Sequence, residues 1–294
     1  MNDNTTSCPV SISVHGCEIV PRNGHVRDFQ EVGILECMTC GVTFHDTDLS
    51  NVVDYQGGSM NSGGTQESIR TVAPDIDDLR RGNYIRTHFP PTDEIKVRVL
   101  DFGSGNGNLL TELRAQYEVE GLEIDLNARL ICQSLGFRIH ESLEAIEAMQ
   151  SKFDVITMIH VIEHLSNPLD VLKRLARLLT DKGSLIIETP NSDDALLTFY
   201  NCEAFQNWTY WSHHPLLFNF QGVSNLLERA NLKLISSVSV QRYNLANHLY
   251  WLSQGIPGGH VRWGEHFSDQ LNQLYQDQLF VRKQSDTIFV RVSN

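Results

Sequence analysis

Apolar and polar positions along the middle of the chain follow two alternating patterns. Short apolar or β-branched runs predict buried strands, and most are followed by a stretch whose apolar residues recur every three or four positions, as on one face of a helix. The predicted strands lie at 97–102, 118–124, 137–140, 153–159 and 184–188. The predicted helices begin near 109, 126, 168 and 222. This alternation is typical of a doubly wound α/β fold with a mostly parallel sheet.

The segments before this pattern differ from it in composition. Residues 1–49 carry four of the six cysteines. Residues 50–94 begin with a polar, glycine-rich run that predicts a linker or lid, and a short helix is predicted at 75–88. We therefore expect three units: a cysteine-rich segment, a linker or lid, and an α/β core at 95–294.

The end of the core contains an unusually long connection. Two alternating runs, 232–240 and 287–292, predict the last strands. The 241–285 segment between them is too long for a hairpin loop and contains two stretches with a helical pattern. We expect this insertion to cap a substrate site.

The charge balance limits the classes of partner. The 294 residues include 36 acidic and 23 basic ones, giving a formal net charge of −13. Basic residues do not cluster, so neither nucleic acid nor an anionic membrane is an expected partner. The sequence has no long apolar run and no signal-peptide pattern, which predicts a cytoplasmic location. Six cysteines in a reducing compartment argue against a disulfide framework.

Cysteine spacing in the N-terminal segment is typical of a metal site. Cys37 and Cys40 form a CxxCG turn, as in one knuckle of a zinc ribbon, and Cys8 and Cys17 could complete a tetrahedral zinc site. Ser11 stands where a second CxxC turn would place its thiol. Three histidines are possible substitutes for a cysteine ligand: His15, His25 and His45. The alternative is a set of reduced cysteines packed as small apolar residues.

A glycine-rich turn follows the first core strand. The segment DFGSGNG at 101–107 places three glycines at alternate positions between a strand end and a helix start. Bare glycines let a ligand lie on the backbone and reach the amides of a helix N-terminus. A dinucleotide fingerprint would need a glycine where the chain has Asn108, so a nicotinamide cofactor is a poor match. Glu123 ends the next strand, where an acidic side chain can bind ribose hydroxyls.

Titratable residues follow two later strands of the core. HVIEHL contains His160, Glu163 and His164, and a later aromatic stretch contains His213 and His214. Ligands of open parallel sheets bind outside the carboxyl ends of strands, so these residues are candidates for catalysis. His160 is the preferred base because the pKa of imidazole lies near working pH. Helix capping or core packing is the alternative for the others.

Together these motifs resemble those of the class I S-adenosylmethionine-dependent methyltransferases that act on small molecules and sugars. The 101–107 run resembles their motif I, Glu123 resembles their ribose-binding acid, and HVIEHL at 160–165 resembles a motif of many such enzymes. The resemblance implies a Rossmann-like, seven-stranded, mostly parallel sheet. It also implies an antiparallel hairpin at one edge of that sheet and a small, zinc-ribbon-like N-terminal unit.

The same resemblance implies a set of residues that hold S-adenosylmethionine. Asp101 would face the ammonium group of this methyl donor, Glu123 its ribose, and residues after the third strand its adenine ring. The implied donor-binding residues are Asp101, Gly103, Ser104, Gly105, Gly107, Glu123, Ile124, Ser142, Leu143 and His160. In this family the segment before motif I often covers the pocket, which makes Tyr55, Tyr84 and His88 further candidates.

The implied reaction is in-line methyl transfer to a small polar or carrier-linked acceptor, such as a sugar, a polysaccharide precursor or a secondary metabolite. The candidate catalytic residues are His160, Glu163, His213 and His214. The sequence shows no acceptor motif, so C-, N- and O-methylation stay open. One alternative is a metal-assisted quinone or catechol O-methyltransferase, because some of these bind metal through an ExxEH set with Glu in place of His160. The other alternative is a donor-binding module without catalysis.

Overall fold

Two β-sheets with helices packed around them make up the described part of the chain. The structure is a computed structural model, and it describes residues 7–10, 16–51, 53, 75–92 and 96–294. The strands are β1 (Ile19–Val26), β2 (Phe29–Cys37), β3 (Val42–His45), β4 (Arg98–Phe102), β5 (Glu118–Leu122), β6 (Arg138–His140), β7 (Phe153–Ile159), β8 (Leu179–Pro190), β9 (Leu216–Phe218), β10 (Lys233–Val240) and β11 (Thr287–Ser293). The helices are α1 (Ile76–His88), α2 (Asn108–Leu113), α3 (Leu126–Ser134), α4 (Leu143–Ala148), α5 (Pro168–Leu178), α6 (Glu203–Thr209), α7 (Phe220–Arg229), α8 (Leu245–Gln254), α9 (Gly259–Arg262) and α10 (Asp269–Arg282).

The central sheet has seven strands in the order β10-β11-β8-β7-β4-β5-β6. Strands β4 to β8 run parallel, and β11 lies antiparallel between β8 and β10. The predicted mostly parallel, seven-stranded sheet with an antiparallel edge is confirmed. The strand order reverses on either side of β4, so the carboxyl ends of β4 and β7 border the crevice where ligands of such sheets bind.

Helix α5 ends earlier than its apolar pattern predicts. Asn167 caps its first turn by accepting from Asp170 N, and Pro168 occupies the first helical position. The apolar stripe of the predicted helix includes Leu179, but Leu179 instead adopts an extended conformation and pairs with Phe153 of β7. Leu179 therefore belongs to β8, although its spacing also fits the apolar face of the helix.

The N-terminal sheet is joined to the core by a short strand. It has the order β1-β2-β3-β9, and β9 comes from the segment between α6 and α7. Val42 of β3 pairs with Phe218, and both side chains are fully buried. The cysteine-rich segment therefore shares its sheet and its apolar core with residues far along the chain.

The 241–285 insertion is helical, as predicted, and carries α8, α9 and α10. Asn244 and Ser268 cap α8 and α10 with their side chains. His248 of α8 and Tyr275 of α10 are joined by a 2.7 Å hydrogen bond that holds the two helices together. Across the described ranges, no helix has the length and apolar character needed to cross a membrane.

Candidate active site

The glycine turn after β4 is held by backbone hydrogen bonds to β5. The amides of Gly103 and Ser104 both donate to Leu122 O, at 2.8 and 3.0 Å. Gly103 has a φ of +83°, and a Cβ there would lie only 2.4 Å from Val161. Gly105 also has a positive φ, of +51°, but a Cβ there would meet no atom of the described residues within 4 Å. The turn is tightly packed at Gly103 and borders open space at Gly105.

Glu123 joins this turn to the next strand–helix connection. Its carboxylate accepts from Gly105 N at 2.7 Å and from Asp125 N at 2.8 Å. Its own amide donates to His140 O at 3.0 Å, and the residue is 9% exposed. The carboxylate therefore lies against the glycine turn, at the position predicted to hold a ribose.

Asp101 lies beneath the turn at the end of β4. It is 4% exposed and accepts a 2.7 Å hydrogen bond from Thr157 Oγ1 on β7. Burial raises the pKa of Asp101 to about 6, against the opposing effects of the Thr157 hydroxyl and the Arg81 guanidinium. This carboxyl changes its charge close to neutral pH.

The other predicted donor-binding residues lie around the ends of β5 and β6. Ser142 caps α4, because its hydroxyl accepts from Ala145 N at 3.3 Å. Leu143 is buried, whereas Ile124 is 42% exposed. Two buried acceptor atoms nearby, Asn108 Oδ1 and Asp125 Oδ2, have no hydrogen-bond partner among the described residues. The open space at Gly105 and these unsatisfied acceptors fit a polar ligand such as S-adenosylmethionine.

His160 lies at the end of β7 between two buried carboxylates. Its Nδ1 is 3.4 Å from Glu163 Oε1, and its Nε2 is 3.5 Å from Glu188 Oε1. A left-handed φ of +52° and a 2.7 Å hydrogen bond from its amide to Glu188 O fix the backbone. Burial and the neighbouring Arg242 lower the pKa of His160, but the two carboxylates outweigh them and the pKa is raised.

Glu163 is held in its charged form beside this imidazole. It is 1% exposed and accepts a 3.1 Å hydrogen bond from Thr189 Oγ1. Burial raises the pKa of Glu163, but the contacts with His160 outweigh it and lower the pKa to about 2.

Glu188 is fully buried and is neutralised by two arginines of α1. Arg81 approaches it through Nη2 at 2.6 Å and Nε at 3.2 Å, and Arg80 through Nη2 at 2.8 Å. Burial raises the pKa of Glu188, but the contacts with His160 and Arg81 outweigh it and hold the pKa well below its usual range. Helix α1 therefore covers the carboxyl end of β8 with positive charge.

The insertion contributes a third arginine to this group. Arg242 Nη1 lies 3.1 Å from His160 Nε2, and its Nε lies 3.4 Å from Asp286 Oδ1. Arg80, Arg81, Glu188 and Arg242 were not predicted as site residues. The sequence offered only a weak signal for them, because an arginine pair in a short helix and single charges at strand ends are equally typical of a solvated surface.

The two histidines at 213 and 214 differ in environment. His213 is buried and stacks on Trp211, with ring centroids 4.1 Å apart. Its carbonyl accepts a 2.6 Å hydrogen bond from His164 Nδ1, which links this segment to HVIEHL. His214 donates through Nδ1 to Thr209 O at 3.2 Å, and burial lowers the pKa of His214 to about 3.

Of the pocket candidates that precede motif I, Tyr84 and His88 pack against β10, β11 and each other. Tyr84 contacts Ser236 of β10 at 3.1 Å and the ring of Phe289, and His88 stacks on Tyr84. Tyr55 lies outside the described residues.

The four predicted zinc ligands converge. The sulfurs of Cys8, Cys17, Cys37 and Cys40 all lie within 4.8 Å of one another, and no other such group of three or more potential ligands occurs in the described ranges. A tetrahedral zinc with Zn–S bonds of about 2.3 Å would place sulfurs roughly 3.8 Å apart. Cys40 N donates to Cys37 Sγ at 3.3 Å, as expected for a thiolate in a CxxCG turn. His25 and His45 are not members of the group, and His15 and Ser11 lie outside the described residues.

Comparison with known proteins links the fold to one family. A family model described as "Methyltransferase domain" matches residues 72–237. The chain is 26% identical over 162 residues to a ubiquinone biosynthesis O-methyltransferase of Xanthomonas axonopodis pv. citri, covering 52% of this chain and 64% of that protein. The corresponding protein of Xanthomonas campestris pv. campestris is 28% identical over 165 residues, with the same coverage. The chain thus spans slightly less than two thirds of the length of these relatives.

Two solved structures share the fold. One is a SAM-dependent methyltransferase from Archaeoglobus fulgidus, with a TM-score of 0.50, 15% identity, and coverage of 74% of this chain and 94% of that one. The other is the cyclopropane synthase MmaA2 from Mycobacterium tuberculosis, with a TM-score of 0.50, 16% identity, and coverage of 74% and 84%. At this level of identity the likeness extends to the fold alone.

Proposed function

Because the chain belongs to the methyltransferase-domain family and has its class I fold, we propose that it transfers a methyl group from S-adenosylmethionine to a small polar or carrier-linked acceptor. The observation that carries this proposal is the pairing of Glu123 with Gly105 N at the edge of the crevice. That contact brings an acid suited to ribose beside a glycine turn that borders open space. We propose the sugars, polysaccharide precursors and secondary metabolites as the acceptor class.

The donor-side residues have distinct tasks in this proposal. Bound S-adenosylmethionine supplies a methyl group already activated by its sulfonium. Asp101 offers a buried carboxylate to the donor's ammonium, and Glu123 retains lone pairs for ribose hydroxyls beyond its two backbone hydrogen bonds. The backbone of Gly103 to Gly107 provides close approach, and Ile124, Ser142 and Leu143 border the adenine end. Holding the donor in one orientation lowers the entropic part of the barrier.

The acceptor-side residues align the acceptor and remove its proton where the chemistry requires it. We propose His160 or His213 as the base. Glu163 lies against Nδ1 of His160, and Glu188 and Arg242 lie against Nε2, which orients the ring. The two carboxylates favour the protonated form of His160 after proton transfer. His214 is a weaker candidate, because a neutral imidazole with a pKa of about 3 is a poor base. The 241–285 insertion caps this side and brings Arg242 to the site.

A metal-assisted quinone or catechol O-methyltransferase is the second candidate. Sequence similarity to the Xanthomonas ubiquinone biosynthesis O-methyltransferases favours it. Against it, His160, Glu163 and His164 do not form a convergent ligand group in the described ranges. Activity that depends on added magnesium would favour this candidate, and activity in a chelator would favour the first.

Two measurements test the proposal in sequence. Calorimetric titration with S-adenosylmethionine should show one binding site per chain, and a failure to bind would contradict the proposal. Mass spectrometry of metabolite and glycan-precursor extracts, incubated with protein and donor, should then show an ion heavier by one methylene. We expect that ion to be lost when the base is removed, with His160→Ala or with His213→Gln. Donor binding without turnover on any fraction would instead favour a non-catalytic binding module.

We also propose that the four cysteines bind a structural zinc ion, and that the protein works in a reducing compartment such as the cytoplasm. The CxxCG turn is held against α7, because Asn225 Nδ2 donates to Cys40 O at 3.1 Å and Asn219 N donates to Gly41 O at 3.1 Å. A metal there would stabilise the N-terminal sheet and its junction with the core.

Metal analysis of the purified protein tests this second proposal. We expect about one zinc per chain and its loss in Cys37→Ser. Cys202→Ser is the matched control, because Cys202 is also buried but lies outside the cluster. A zinc-free wild type that melts at the same temperature with and without added zinc would contradict a structural metal.

A further inference from the structure

The turn between β1 and β2 reaches across to the segment that carries His213. Arg27 N donates to Tyr210 O at 2.8 Å, and the Arg27 guanidinium lies over the Trp211 ring, 4.4 Å from its centroid. Asp28, next in the turn, contacts Ser212 with both carboxylate oxygens. The N-terminal sheet therefore holds the main chain and the side chains of this segment.

A chain of three side chains runs from this turn to His213. Ser212 N donates to Asp28 Oδ1 at 3.1 Å, and Ser212 Oγ lies 2.6 Å from Asp28 Oδ2. The same Ser212 Oγ lies 3.2 Å from His213 Nδ1. A carboxylate can only accept, so the hydroxyl donates its single proton to Asp28 and accepts from the imidazole. Nδ1 of His213 therefore carries a proton, and Nε2 is the nitrogen that can take one.

We propose that Asp28 and Ser212 are positioning residues that hold His213 in the Nδ1–H tautomer, so that its Nε2 acts as a base on the acceptor. The inference deepens the proposed methyl transfer and rests on it. It assigns the N-terminal sheet a direct part in the acceptor site, through residues that carry no recognisable motif. The carboxylate also stabilises the imidazolium that forms when His213 accepts a proton.

Burial and charge around these residues are consistent with such a role. Ser212 is 3% and His213 is 7% exposed, whereas Asp28 lies at the surface. Burial raises the pKa of Asp28, but the two hydrogen bonds from Ser212 outweigh it and the pKa is lowered. Asp28 is therefore charged at neutral pH.

Other titratable groups face the same segment and enter the interpretation of any titration. They are Arg27 over Trp211, His45 with a hydrogen bond to the Trp211 backbone, His164 on the His213 carbonyl, His214 beside His164, and Glu163 near His214. Burial lowers the pKa of His45 to about 4, so this residue stays neutral over the range in which a catalytic histidine titrates.

Nitrogen-15 NMR of histidine-labelled protein tests the hydrogen-bonded chain from Asp28 through Ser212 to His213, called the relay below. The test needs no knowledge of the acceptor. His213 is assigned by comparison with His213→Gln. In the wild type we expect the shifts of an Nδ1–H tautomer. Ser212→Ala should remove that preference, whereas Asp28→Asn should keep the tautomer and lower the pKa of His213 by about 0.5, since the charge acts through a partly exposed pair.

Asp46→Asn is the matched control, because Asp46 is another exposed aspartate of the N-terminal sheet that accepts from a backbone amide. It should leave both the tautomer and the pKa of His213 unchanged. An Nε2–H tautomer in the wild type would overturn the relay, and this result needs no variant to fold. An unchanged tautomer in Ser212→Ala, or an unchanged His213 pKa in Asp28→Asn, would also overturn it.

Donor titration of the same samples separates this inference from the proposed methyl transfer on which it rests. If the wild type shows the Nδ1–H tautomer but does not bind S-adenosylmethionine, the methyl-transfer proposal fails and the catalytic role of the relay fails with it. If the donor binds and the tautomer is Nε2–H, only the relay fails.

Discussion

The two halves of the candidate site are built in different ways. At the ends of β4 and β5, the Glu123 carboxylate accepts from the main-chain amides of Gly105 and Asp125, and these groups come from one stretch of chain between 101 and 125. At the ends of β7 and β8, charged side chains meet from α1, HVIEHL, β8 and the insertion. The donor half is therefore local and made largely of backbone, whereas the acceptor half is a long-range network of buried charges.

This difference explains how much the sequence could reveal. The glycine turn, Glu123 and the parallel strands depend on local patterns, and each was predicted. Arg81 and Glu188 are 107 positions apart, and Arg242 lies 82 positions from His160, so no local pattern pairs them. The strands of the N-terminal sheet were not predicted for a related reason. Strand β9 has only three residues, and it can be recognised as a strand only from its pairing with β3.

The largest effect should come from removing one charge of the acceptor half. Glu188→Gln leaves Arg81 without its buried counter-ion, and we expect the free energy of unfolding to fall by about 3–5 kcal/mol in urea denaturation. Glu112→Gln, which disrupts the more exposed pair with Arg86, should cost about 1 kcal/mol or less. Equal losses of unfolding free energy in the two variants would mean that the buried charges of the acceptor half matter no more for stability than a more exposed ion pair.

A smaller but selective effect is expected in the donor half. Glu123→Ala removes the ribose acceptor and the partner of Gly105 N, so donor affinity should fall roughly 100-fold, or about 2.7 kcal/mol, with the fold intact. Calorimetric titration measures it. Glu118→Gln, at the exposed start of the same strand, should bind the donor like wild type. Unchanged affinity in Glu123→Ala would remove this residue from the site.

The pH dependence of donor binding should sharpen the contrast further. The pKa of Asp101 is about 6, and the donor's ammonium binds its charged form. Affinity should therefore be steady near pH 7 and fall about tenfold by pH 5, as the carboxylate is protonated. Asp101→Asn should bind more weakly at pH 7 and lose this dependence. A wild-type affinity that stays constant across this range would show that Asp101 does not face the ammonium.

The smallest effect on stability and donor binding is expected for Ser142, whose side chain caps the backbone of α4. Ser142→Ala removes the cap of α4 and should lower the free energy of unfolding by about 1 kcal/mol, with donor affinity changed less than about threefold. Thermal melts and calorimetry on the same variant give both values. A large loss of affinity with unchanged stability would instead identify the hydroxyl as an adenine contact.

The position of β9 also has consequences for how the chain is made. About 170 residues separate β3 from the strand that completes its sheet. At roughly 5–20 residues per second, a ribosome needs about 10–35 s to synthesise that interval. During this time the β3 edge has no native neighbour and can pair with other chains. We therefore expect newly made protein to depend on chaperones until residue 218 has emerged, and pulse-labelled chains truncated before β9 to aggregate more than chains that include it.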